Sequence, residues 1–175
     1  MTLVAGVILV QLVSRGQPET GTAGETKIKM KNEVNSNSTR IGNLSANVPD
    51  TWTGIRPSSS MRLMEFRLGV AADDATLAIF KNIGGTIDNN LERWSGQFGY
   101  SLSDSEVNIR AENINGMQVS IISILGTYTN TMAFSDATQP KPNYRLLGAI
   151  ADTPDGLYYF KLTGPNTMIA GRIEE

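Results

Sequence analysis

Asn115-Gly116 separates two runs of strand-like residues, and this arrangement constrains the fold more than any other feature of the chain. Val107, Ile109 and Ala111 alternate with Asn108, Arg110 and Glu112, the period-two pattern of a half-buried strand. Asn-Gly accepts the left-handed backbone that a tight hairpin turn demands, so Met117 to Tyr128 is expected to return as the antiparallel partner. Thr153-Pro154-Asp155-Gly156 is a second turn of this kind and joins Leu146 to Ala151 with Leu157 to Leu162. Upstream, Ile41 to Val48 alternates Leu44, Ala46 and Val48 with polar neighbours and stops at Pro49-Asp50. Met61 to Leu68 presents Met64, Phe66 and Leu68 on one face. Ala75 to Ile83 follows an Asp73-Asp74 turn and aligns Leu77, Ile79 and Ile83.

One segment keeps a different period. Within Thr86 to Phe98, the residues Ile87, Leu91, Trp94 and Phe98 form a single apolar stripe at helical spacing. Thr86 suits the N-cap, Asp88 complements the positive end of the helix dipole, and Gly99 supplies a stop. A second helix opens at Pro165 and reads as cut short at Glu175. Strands joined by hairpins rather than helical crossovers predict an α+β fold. Its expected form is a largely antiparallel sheet of six to seven strands, with one firm helix and one short helix packed on it.

A chain of 175 residues suits one domain. Leu3 to Val13 is almost wholly apolar, and about eleven residues span only ~16 Å, short of a ~30 Å bilayer core. Residues 1–13 therefore read as a signal-peptide-like leader, although no Lys or Arg precedes the run. Ser14 to Glu25 has no large apolar residue and reads as a flexible tether that extends through residue 39. Inside it, Lys27, Lys29 and Lys31 alternate with Ile28 and Met30 as an edge strand would. Residues 40–175 form the expected single domain. The expected location is the periplasm or cell envelope, with membrane attachment only through an uncleaved leader.

The chemistry is bounded by what is missing. The chain has no histidine and no cysteine, which removes the commonest general base, the commonest metal ligand and the readiest nucleophile. A net charge of −2 lacks the basic footprint of nucleic-acid binding. Asp73-Asp74 reads as a solvated turn, and no calcium-loop spacing surrounds it. Ser58-Ser59-Ser60 has no histidine to activate it and no Ser-x-x-Lys partner, so its hydroxyls read as turn-stabilising. Gly84-Gly85 lacks the rest of a phosphate-binding motif and reads as a tight strand-to-helix turn. No catalytic residue, metal ligand or cofactor-binding residue emerges, and no cofactor is expected. Trp94 belongs to the helix stripe, whereas Trp52 follows Pro49-Asp50 in a loop. Trp52, and Arg62 just beyond the serines, are the candidate contacts to a ligand or partner.

Several phrases together carry a resemblance. Val48-Pro49-Asp50-Thr51-Trp52 resembles the P-x-x-W opening of PsbP-like domains. Ser59 to Phe66, Asn90 to Phe98, Tyr144 to Ile150 and Tyr159 to Pro165 are similar to a family of exported bacterial proteins with no assigned reaction. The resemblance implies an antiparallel sheet flanked by helices and carries over no catalytic residue. The expected function is a non-enzymatic exported domain that binds a partner protein or small ligand of the cell envelope. Alternatives are a carboxylate-based hydrolase acting on glycans, with two acids converging in one cleft, and a structural or assembly module.

Overall fold

A computed structural model of the chain describes residues 38–69, 75–129 and 139–170. The apolar leader, the tether as far as residue 37, the lysine-rich strand within it and Asp73-Asp74 lie outside the described residues.

The chain opens with a two-stranded ribbon, β1 (Ser38–Ile41) and β2 (Leu44–Asn47), which turns at Gly42-Asn43. It continues through β3 (Trp52–Ile55), β4 (Arg62–Leu68) and β5 (Ala75–Lys81) to the helix α1 (Ile87–Gly96). Next come β6 (Val107–Ile114), β7 (Met117–Tyr128), β8 (Lys141–Thr153), β9 (Gly156–Pro165) and the single turn α2 (Asn166–Ile169). Strands β3 to β9 form one sheet in the order β3-β4-β5-β9-β8-β7-β6, every neighbour antiparallel. Asn115 and Gly116 both have positive φ, 51° and 83°, so the β6–β7 hairpin closes through the left-handed turn that Asn-Gly favours.

The sheet buries both faces. On one, Phe66, Leu68, Leu77, Ile79, Phe160, Leu162 and Val119 pack beneath the ribbon residues Ile41, Leu44 and Ala46, and beneath Ile169 of α2. Arg145 fastens α2 to this face, donating from Nε to Asn166 Oδ1 at 2.8 Å and from Nη1 to Ser123 Oγ at 3.0 Å. On the other face, Ile122, Ile124, Leu146, Ile150 and Tyr159 pack against Leu91, Trp94 and Phe98 of the α1 segment. Thr86 caps α1 by accepting from Asn89 N at 3.1 Å, and Asn89 Oδ1 accepts from Thr86 N in return.

The α+β expectation is corrected. Some 58% of the described residues are strand and 13% helix, so the protein is a β-rich fold with two small helices. The physical reason lies on the ribbon-covered face. Ile41 to Val48, read as one strand, turns at Gly42-Asn43, where Gly42 has φ 60°, so that Leu44–Asn47 pairs with Ser38–Ile41, and this hairpin supplies cover that a helix was expected to give. At the other end of the chain β9 extends to Pro165, and the described part of the closing helix is one turn. Trp52, read as a loop residue, begins β3 and pairs with Leu68.

Candidate functional site

Strand register determines which side chains meet on the α1 face. Glu65 pairs with Ala78, Ala78 with Lys161, Lys161 with Gly148 and Gly148 with Ile122, so these residues form one row across β4, β5, β9, β8 and β7. The small residues Ala78 and Gly148 flank Lys161. At Gly148 the indole of Trp94 lies so close to the strand that a Cβ there would meet Trp94 Cζ3 at 2.3 Å. Glycine thus lets the helix dock tightly over β7 and β8. Toward β4 and β5 the helix no longer covers the sheet, and a cavity of about 490 Å³ opens there.

Three segments wall this cavity. The loop Ser58-Ser59 and Arg62 close one side, Arg93, Trp94 and Gln97 of the α1 segment a second, and Tyr128, Lys141 and Tyr144 a third. Lys161 and Thr163 of β9, with Ala78 and Phe80 of β5, form the floor. Tyr128 and Tyr144 stack with ring centres 6.0 Å apart, and Lys141 lies over the Tyr144 ring at 5.4 Å. Desolvation pushes the Tyr128 hydroxyl above the usual tyrosine range, while the positive charges of Arg62 and Lys141 oppose that rise.

The electrostatics are one-sided. Among the described residues, Arg62, Arg93, Lys141 and Lys161 line the cavity with one carboxylate, Glu65. That carboxylate is 6% exposed and already engaged. Its Oε1 accepts from Arg62 Nη1 at 2.6 Å and its Oε2 from Ser58 N at 2.7 Å. Arg62 also lies 5.8 Å from the centre of the Phe80 ring. Arg93 donates to Asn90 Oδ1. Lys161 donates to a neutral acceptor, Gln97 Oε1, and lies 5.7 Å from the centre of the Tyr128 ring. Its side chain is half-buried and lines the cavity. That burial, followed by the positive charges of Arg62 and Arg93, lowers its pKa from 10.5 to about 7.

Of the two candidate contacts read from sequence, Arg62 lines this cavity and Trp52 does not. Trp52 is 8% exposed within the core on the opposite face, and its Nε1 has no hydrogen-bond partner among the described residues. Ser59 acts within its own turn, accepting from Met61 N at 3.2 Å. Gly84 and Gly85 have φ of 83° and 74° and turn the chain into α1, with the Gly84 carbonyl accepting from Asn90 Nδ2. Lys161, Arg93, Gln97 and Lys141 were missed from sequence. Lys161 alone gave a signal, as a cation between Phe160 and Leu162 in an apolar strand.

Such a set suits anions. Guanidinium and ammonium groups offer many donors and no acceptor, and the lining aromatics suit the flat or apolar part of an organic molecule. Among the described residues no group of three or more acidic side chains converges to hold a metal ion. No protein-family model matches the chain, and no curated protein matches it significantly.

Proposed function

We propose that the protein binds a small organic anion, a carboxylate or phosphate ester with an apolar or aromatic body, in the cavity between α1 and the β4–β5–β9 region. One observation carries this reading: among the described residues, Arg62, Arg93 and Lys161 converge on a partly open cavity whose one described carboxylate, Glu65, is paired with Arg62. Burying like charges together is costly, and an anion drawn from solvent offsets that cost. The volume, about 490 Å³, falls within the range of small-molecule sites. Among the described residues Glu65 is the one carboxylate of the lining, so they supply no glycosidase-type pair of acids there. The apolar run Leu3 to Val13 and the polar stretch after it favour a site of action in the cell envelope.

Isothermal titration calorimetry with a panel of aromatic carboxylates and phosphate monoesters tests the reading. Binding is expected to weaken by about tenfold or more in Arg93→Gln, since a charge-assisted hydrogen bond contributes ~1.5–3 kcal/mol. A panel that gives no heat with the native chain, or equal affinity in the variant, overturns it.

A further inference from the structure

We infer that Lys161 forms a reversible imine with an organic anion bearing an aldehyde or ketone group, while Arg62 and Arg93 hold the anionic group. The inference rests on the anion-binding reading and narrows the ligand to a carbonyl compound such as a 2-oxo acid.

Three observations and one chemical argument support it. Lys161 lies on the cavity floor between Ala78 and Gly148, the small residues opposite it on the neighbouring strands, and itself lines the cavity. Its hydrogen-bond partner is the carboxamide oxygen of Gln97 rather than a carboxylate. A carboxylate would hold the proton on nitrogen. A carboxamide oxygen favours the ammonium far less than a carboxylate would, and it can also accept from the neutral amine, whose lone pair points elsewhere. The like charges of Arg62 and Arg93 further favour the neutral amine, whose pKa is about 7. Before an anion binds, about half of such a group is the free base at neutral pH, against about one in three thousand for an ordinary lysine. Finally, the duties divide cleanly: a guanidinium keeps its charge at any working pH and grips a carboxylate, leaving lysine to react.

The step balances without a further reagent. The amine lone pair forms the new C–N bond at the carbonyl carbon. The C–O bond then breaks, and the oxygen leaves as water with both amine hydrogens. Hydrolysis reverses the process, so binding alone requires no oxidant or reductant.

Reductive trapping tests the inference. The full chain is incubated near neutral pH with cyanoborohydride and glyoxylate, pyruvate or phenylpyruvate, then digested and mapped by mass spectrometry. Lys161 is expected to be modified at least about tenfold faster than the other lysines, reflecting its larger free-base fraction. In Lys161→Arg the total adduct yield is expected to fall to that of the surface lysines, and calorimetry on the native chain measures anion binding separately. Labelling spread evenly over surface lysines, with calorimetric binding intact, overturns the imine and leaves the anion site standing. If these anions neither bind nor label, both readings fall.

Discussion

Lys161 sits between Phe160 and Leu162, which are 2% and 0% exposed, so its ammonium is a charge the fold tolerates rather than one that holds it together. Its folded pKa of about 7 lies below the unfolded value of 10.5. Between those values the unfolded chain binds more protons than the native one, so this residue makes stability rise with pH. Below about pH 7 both states carry the charge, and the native state bears its full burial cost. Arg62 and Glu65 from β4, Arg93 from the helix, and Tyr128, Lys141 and Tyr144 opposite are the ionisable groups that share the cavity. The stability of the native chain relative to Lys161→Met is therefore expected to increase from about pH 7 to 10, with a slope approaching ~1.4 kcal/mol per pH unit. Urea titrations across that range measure it. A difference that stays constant with pH would show that Lys161 is not held neutral. Sequence pointed at this residue only faintly. An isolated lysine in an apolar strand is visible, but the two arginines that act on it come from β4 and α1 and reach it only through strand register and helix docking.

At the scale of elements, α1 was legible because its stripe of Ile87, Leu91, Trp94 and Phe98 and its Thr86 cap are local, and local signals survive folding. The β6–β7 and β8–β9 hairpins were legible for the same reason: their turns are written in adjacent residues. Less readable was the cover on the opposite face. Gly42-Asn43 lies inside what scans as one alternating run, and its turn is stabilised by a distant residue. Asn43 N donates to Tyr158 Oη at 3.4 Å, and a Cβ on Gly42 would meet that oxygen at 2.5 Å. Strand β3 was likewise hidden, since Thr53-Gly54 gives Trp52 no apolar alternation to continue. The docking of α1 hinges on Gly148, which no sequence pattern marked. Gly148→Ala would drive a methyl group into Trp94 and Ile122 and is expected to destabilise by about 1–3 kcal/mol. Because Trp94 also walls the cavity, its displacement should weaken anion binding as well. Denaturation and calorimetry on one variant read both effects. Loss of stability with unchanged affinity would separate helix docking from the site.

At the scale of the whole molecule, two charge clusters act on opposite faces with opposite logic. Asp155, in the β8–β9 turn, accepts from Lys81 Nζ at 2.6 Å, Tyr158 Oη at 2.9 Å and Asn43 Nδ2 at 3.0 Å, so it links β5, β9 and the ribbon. Those hydrogen bonds, Lys81 first, hold its carboxyl below the usual aspartate range, and the stability they give is lost only as pH falls through that lowered value. Asp155→Asn is expected to speed amide exchange in Ile41 to Ala46 while leaving α1 protected, and uniform protection would deny the link. The cavity cluster, by contrast, is satisfied from outside. An anion beside Lys161 favours its ammonium, so binding raises the lysine pKa and must draw a proton from solvent wherever the free amine was neutral. With a carboxylate that has no carbonyl to react, such as benzoate, affinity is therefore expected to fall as pH climbs past about 7. Net proton uptake should be near zero at pH 6 and approach one proton per bound anion by pH 8 to 9, roughly following the lysine titration. Calorimetry in buffers of differing ionisation enthalpy counts those protons directly. Lys161→Met should bind the same anion more weakly below pH 7 and without the Lys161 proton. Uptake that persists undiminished in that variant would assign the coupling to another group and deny Lys161 its place at the centre of the site.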